Sequence, residues 1–599
     1  MNKLLSYYQK ELSFLKEHGK IFSGRFPKIA RRLGIVEGES EDPHISRLIE
    51  SFALLTSRIH QRLDDDMPNV IEALVSTLAP QYLRPLPSAC IVMIKADPQR
   101  SGITGKNEMA AGTALFTKQS EPVSCQFQTV YPVTILPLSL NNAALRFNSD
   151  ELSWQLNLHF QVWPAAKLGG EKVRLHLHGP ENAVQILYTL LCSQIKSLSL
   201  QQQEIKATLS IDAITPVGFS VDEALLSRDA RIAPPHILLL DYFWFPQKFS
   251  FIDIELPINF NAKSKDEFTL NVVFNRNPLT EKLEKLAELV DVSFFRMHCT
   301  PAINLFPLRA EPIVLSDSHA EYPIIPDSRN QTHIGVWAVQ EVSIQRKVDN
   351  HIDNFLIQPL LESHYCNNNT AESGLRWQCL HREIPSEHSI EQKQYISFSE
   401  VNSRLRSVAS ETVTISIVCS NNSLAHSYSY GNPDGDFDVE IPIAGLKIVA
   451  LTHPTRPVDA PSKNTLNLRF ISQLSLNHQL LDGDLGVQRL KETLALYNYD
   501  AQPEKFRLYH LIQSISTKAV TTRLISNDPH SLARGIEITL TFSHRALQEP
   551  EYYLLCCLLD RLLGLYAPVN SFTRLITCIE REEQSRRLWP IRAGKLSWL

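Results

Sequence analysis

His176 and His178 stand two apart in KVRLHLHG, a run whose alternation predicts a β-strand, so both rings leave the same face. Two imidazoles on one face are half of a zinc site, which needs a third ligand and usually a fourth. No third donor stands nearby, and the pattern favours partly exposed strand histidines. Asp434, Asp436 and Asp438 alternate as at the start of a calcium loop. Such a loop needs glycine at its sixth position and glutamate at its twelfth. Those positions hold Val439 and Gly445, so YSYGNPDGDFD reads as a turn rich in Asn, Pro, Asp and Gly.

The other chemical candidates fail for similar reasons. Asp64, Asp65 and Asp66 are adjacent, whereas working carboxylate pairs are usually brought together from separate elements and perturbed by burial. They predict a solvated surface and the N-cap of a following helix. His298 and Cys299 are neighbours in sequence and seldom align as base and thiol; a buried, unreactive cysteine is the expectation. A phosphate loop needs an upstream glycine followed after four residues by Gly-Lys-Ser/Thr. Gly105-Lys106-Asn107 and Gly594-Lys595 both fail that test, and Gly218-Phe219-Ser220 lacks the closing glycine of a nucleophile elbow. The sequence therefore predicts no catalytic, cofactor-binding or metal-binding residues, and hence no enzyme.

The totals agree. The 599 residues exceed what one core supports, and a net charge of −5 argues against a nucleic-acid partner. Ten scattered cysteines without a C-x-x-C pair fit a reducing cytoplasm rather than a disulfide scaffold or metal framework. Lys10, Glu11 and Lys16 break any apolar core of a signal peptide. Asp560 and Arg561 interrupt the one long apolar run, from Tyr552, which reads as a core helix rather than a membrane span.

The predicted architecture is α+β and multidomain: an N-terminal helical region (1–87), a sheet-rich α+β domain (88–298), a β-rich domain (299–460) and a C-terminal α+β domain (461–599). Tyr8, Leu12 and Leu15 mark one face of a first helix. Asp42 and Pro43 start a second, with Ile45, Leu48, Ile49, Phe52, Ile59 and Leu63 at helical spacing, and a third is expected between Pro68 and Pro80. Three such helices would form a small bundle, either alone or completed by another chain. From about residue 88 the period becomes two, most cleanly in LSWQLNLHFQVW. The strands between 310 and 460 suggest a sandwich or barrel, and RGIEITLTF, the helix 550–566 and SFTRLITCIE predict a β–α–β unit. CTPAINLFPLRAEPI (Cys299–Ile313) carries Pro301, Pro307 and Pro312, which predict a rigid extended connector rather than a central strand. The tail carries Arg586, Arg587, Arg592 and Lys595 among Trp589 and Trp598; it would either dock on a partner or fold back on its own domain.

The proline segment resembles a signature of the TssF (VasA/ImpG) family of type VI secretion systems. Further blocks in the same order are similar to that family: YYQKELSFLKEHGKIFSGRFPKIARRLG, DPHISRLIESFALLTSRIHQRLDDDMP, STLAPQYLRPLPS, GFSVDEALL, LLDYFWFPQKFSFIDI, LRFISQLSLN and VNSFT. Likeness is weakest over 362–395. The resemblance implies a structural subunit of the secretion baseplate in the cytoplasm, at the inner face of the inner membrane. Two copies would assemble with one TssG, and with TssK and TssE, into wedges around a VgrG spike, with TssK linking them to the membrane complex. A wedge protein of a phage or other contractile device is the alternative, and a cytosolic β-rich enzyme or carbohydrate-binding protein a more distant one.

Overall fold

The computed structural model describes residues 2–593 apart from 361–374, 401–410, 460–482, 524–531 and shorter breaks such as 227–233, 386–389 and 441–444. It divides into two compact units, Met1–Leu83 with Pro461–Leu474 and Arg84–Ala460 with Ser475–Leu599.

The first unit is built on a helical hairpin. Helix Asn2–Arg25 packs along helix Pro43–Leu78, and His60 Nδ1 lies 3.4 Å from Glu11 Oε1 across the seam. The sequence predicted two helices split at Pro68, but one 36-residue helix runs through it. A proline in a helix interior forfeits one backbone bond and costs about 3 kcal/mol. The helix retains full turns on both sides, so that local cost does not end it. Asp64–Asp66 therefore lie inside this helix rather than capping another, and their side chains are outside the described residues.

In the second unit strand dominates. A closed barrel takes its six strands from distant parts of the chain. Ala89–Ala96 lies between Cys299–Ile303 and Leu446–Ala450, and Phe437–Val439, Ala114–Thr117 and Gln126–Thr129 complete the circuit. The barrel thus draws strands from both sides of the expected division at 298/299. A five-stranded antiparallel sheet centres on Glu267–Phe274, flanked by Ile195–Gln202 and by Ser153–Val162, the strand predicted from LSWQLNLHFQVW. A four-stranded sheet carries Lys172–Leu177 and Phe251–Glu255, with helices Glu181–Ser193 and Pro234–Trp244 alongside in sequence. The large open sheet runs from Phe306–Arg309 through Thr412–Ser420 and Gly335–Val348 to the hairpin Leu375–Pro385/Ile390–Glu400. Its core holds Val342, Ile344, Val413, Ile415 and Ile417, all inaccessible to solvent.

The proline segment is not a connector. Cys299–Ile303 is a barrel strand, paired along its whole length with Ala89–Met93 and at Ala302–Ile303 with Gln128–Thr129. Pro301 is accommodated because its carbonyl points away from that longer ladder and accepts from the Val130 N–H at 2.8 Å. The donor it lacks would point the same way, so the long ladder loses nothing. Phe306–Arg309 then crosses to the edge of the large sheet and pairs with Ser416–Cys419. Upstream, Trp337 Nε1 donates to the Pro85 carbonyl at 2.8 Å and Leu86 bridges Val458, which ties the Pro85–Pro87 stretch to this unit.

The C-terminal part bears out the β–α–β reading. Leu532–Phe542 and Ser571–Ile579 are parallel neighbours joined through helix Tyr552–Gly564, with Ile512–Arg523 and Glu582–Leu588 outside them. The block LRFISQLSLN (468–477) lies outside the described residues.

Candidate assembly interface

The long N-terminal helix turns its small residues inward. Ala53 and Ser57 are fully buried, while Ile49 and Thr56 are partly so. Small side chains let two helices approach closely. The larger apolar residues face the other way: Leu48 is 71% exposed, Phe52 59%, Leu55 63% and Ile59 54%. Steps of four, three and four place these on one helical stripe. Leu5, Phe14 and Ile21 on the first helix are exposed as well. Covering a fully exposed side chain of this size gains about 1.5–3 kcal/mol; these four are only partly exposed, so the stripe offers roughly 4–7 kcal/mol before the costs of association. Contiguous apolar surface of this kind is what a protein partner can cover.

The chemical candidates resolve into structure. His176 is buried against the Phe251 ring, 4.6 Å between centroids, with neither ring nitrogen hydrogen-bonded. Burial, then the neighbouring His178 and Arg296, push its pKa down to about 3, so it is a neutral core ring. The two imidazoles are 6.1 Å apart, and Arg296 sits opposite His176 in the sheet register, a cation where a metal would need donors. Among the described residues no group of three His, Cys, Asp or Glu could hold a metal ion.

Asp436 is spent on its own loop, accepting from the N–H groups of Gly431, Asn432 and Ala450 at 2.8–3.0 Å. Asp434 pairs with Lys447 at 3.0 Å, a hydrogen bond that holds its carboxyl below the usual range, and Asp438 lies 3.9 Å from Lys118. The alternating aspartates thus staple a turn. His298 accepts from the Leu136 N–H at 3.2 Å, and burial lowers it to about 4. Cys299 donates to the Met297 carbonyl, and burial pushes its thiol well up. A base engaged elsewhere and a protonated thiol do not make a nucleophile.

The basic tail folds back on its own domain as far as it is described. Trp589 Nε1 donates to Thr577 Oγ1 at 3.1 Å and its ring stacks on Tyr553, while Arg587 lies 4.9 Å from the Trp589 ring centre. Arg586 is exposed, and Lys595 and Trp598 are outside the described residues. Sequence reasoning missed Asp241 and Lys248, which are fully buried and paired with each other. Burial raises the Asp241 carboxyl while Lys248 pulls it down. The signal was present: Asp241 is the only charged residue among the apolar residues of PPHILLLDYFW.

No helix among the described residues is long and apolar enough to cross a membrane. The chain is similar to the type VI secretion system component TssF1 of Pseudomonas aeruginosa, 28% identical with 99% of each chain covered. Its fold is similar to a chain in a structure described as the type VI secretion system TssK-TssF-TssG baseplate subcomplex. That likeness has a TM-score of 0.73 at 21% identity and covers 93% of this chain and 99% of the other. It is also similar to a chain in a structure of the type VI baseplate complex, with a TM-score of 0.58, 21% identity and 99% coverage of both. The family model for type VI secretion system TssF matches residues 1–596, and the chain belongs to that family.

Proposed function

We propose that this chain is a non-catalytic wedge subunit of a type VI secretion baseplate. The observation that carries the reading is the family match from end to end, residues 1–596. Relatives of the same fold occur in structures described as a TssK-TssF-TssG baseplate subcomplex and as a baseplate complex, which supports TssG and TssK as partners. In this reading two copies join one TssG, TssE completes the wedge, and wedges surround the VgrG spike in the cytoplasm beneath the inner membrane. TssK makes the link to the membrane complex.

The stripe Leu48–Phe52–Leu55–Ile59 is the surface on which TssG and the second copy pack, because it offers apolar area that the hairpin itself leaves uncovered. The C-terminal β–α–β layer and the exposed Arg586 are the surfaces for contacts around the ring. Co-expression with the cognate TssG, followed by native mass measurement, tests the reading. A complex of two copies with one TssG is expected, and deletion of residues 1–85 should abolish it. A truncated chain that still binds TssG would remove the hairpin from the interface.

A further inference from the structure

The exposed stripe on helix Pro43–Leu78 is narrow. At about 100° per residue, Leu48, Phe52, Leu55 and Ile59 fall within about 60° of arc. Their spacing of four, three and four is that of alternating a and d positions in a coiled coil. A helix that beds on a core or a bilayer presents a wider apolar face. The stripe therefore has the shape of a seam for one partner helix.

The charges beside that seam have one sign. Arg47 and Arg58 are exposed on the same flank, about 90–110° around the helix from the centre of the stripe. The other flank carries the partly buried Ile49 and Thr56. Glu50, the only carboxylate in residues 43–62, lies on the opposite side, about 170° away. Residues 2–32 hold eight lysines and arginines against two glutamates. One of those glutamates, Glu11, faces His60, while Lys10, Lys20, Arg25 and Lys28 are exposed. The remaining acids of the region stand beyond the two ends of the stripe, at Glu37, Glu39, Glu41 and Asp42 and at Asp64–Asp66. The whole chain carries −5, so the basic surplus of these helices is local.

We propose that the stripe selects an acidic helix. The segment seated on it is amphipathic, with an apolar a/d seam bordered by aspartates and glutamates that meet Arg47 and Arg58. This rests on the reading of the stripe as an assembly surface. Opposite charges beside a coiled-coil seam choose the partner and its orientation more than they add affinity. Two stripes of this chain meeting directly would bring like charges together. The seated helix thus belongs to a different chain, and a second copy joins through it.

The test titrates the full chain with two synthetic helical peptides of about four heptads. They share one leucine a/d seam and carry either glutamate or lysine at the e and g positions. At low salt the glutamate peptide should bind at least about tenfold tighter, and the gap should close near about 1 M salt, where exposed pairs are screened. Arg47→Glu/Arg58→Glu changes two exposed positions, which leaves folding nearly intact, and should remove the preference. Leu48→Ser/Leu55→Ser should abolish binding of both peptides. Equal affinity for the two peptides, or binding of neither, overturns the proposal, as does a preference that survives Arg47→Glu/Arg58→Glu. Stripe-dependent binding to phosphatidylserine vesicles without binding of either peptide would overturn it in favour of a membrane. The assembly reading fails separately: if TssG still binds a chain lacking residues 1–85 while the glutamate preference holds, the stripe takes an acidic helix from another protein.

Discussion

Arg592 Nη2 lies 2.6 Å from Asp560 Oδ2, and its Nε donates to the same oxygen at 2.8 Å. This pins strand Arg592–Ala593 to helix Tyr552–Gly564. The Asp560 side chain is fully buried, whereas Arg592 keeps about a third of its side chain in solvent. Removing the arginine strands a buried carboxylate, which costs about 3–5 kcal/mol when both partners are enclosed. Partial exposure lowers the expected cost of Arg592→Met to about 2–3 kcal/mol. Denaturant unfolding should show it, and Asp560→Asn in the same chain should recover part of the loss.

Three enclosed histidines should contribute to the loss of stability in acid. Burial lowers His176 to about 3 and His236 and His298 to about 4, from an ordinary 6.5. In the unfolded chain they take protons as pH falls through 6.5, while in the folded chain they stay neutral. Stability is therefore full above pH 6.5 and falls between 6.5 and about 4, by roughly 1–2 kcal/mol per histidine at pH 5. His176 has no hydrogen bond to lose, so His176→Phe should flatten the acid limb by about one proton without destabilising the chain at pH 8. An unchanged slope would show that His176 is already protonated in the fold.

The elements with a clean local period were legible in the sequence. Leu156, Leu158, Phe160 and Val162 alternate and form a strand, and Pro43 opens a helix as its position predicts. Longer-range choices left no local trace. Nothing in Ala89–Ala96 says that it pairs with Leu446–Ala450, because pairing across that span is set by the closed barrel. Pro301 and Pro68 misled for a common reason. A proline removes one donor, and whether that matters depends on which way the donor would have pointed and on what packs beside it. The chemical candidates failed in the sequence for want of spacing, and the structure adds the partners that occupy Asp436, His298 and Cys299.

Gly535 faces Phe572 in the parallel ladder, and a Cβ at 535 would come within 2.4–2.5 Å of that ring. The ring is buried and cannot retreat into solvent. Gly535→Ala should cost about 1–3 kcal/mol by overpacking. Phe572→Leu in the same chain should recover part of that loss, and a double-mutant cycle with no coupling would break the link between the two positions.

The exposed helical stripe predicts a variant whose folding and assembly separate. Leu48 and Leu55 are more than 60% exposed and contribute little to the hairpin's own packing. Leu48→Glu/Leu55→Glu should therefore leave the unfolding free energy of the isolated chain within about 0.5 kcal/mol per site. In a packed interface the same change buries two carboxylates without partners, and affinity for TssG should fall by at least about 100-fold, or roughly 2.7 kcal/mol. Ala53→Leu works in the opposite direction. Ala53 is fully enclosed in the folded chain, so the added bulk should destabilise the hairpin itself by about 1–3 kcal/mol. Thermal unfolding of each chain, paired with titration against TssG, distinguishes the two faces. Equal loss of affinity from a surface change far from the stripe, such as Lys196→Glu, would remove the helix face as the cause.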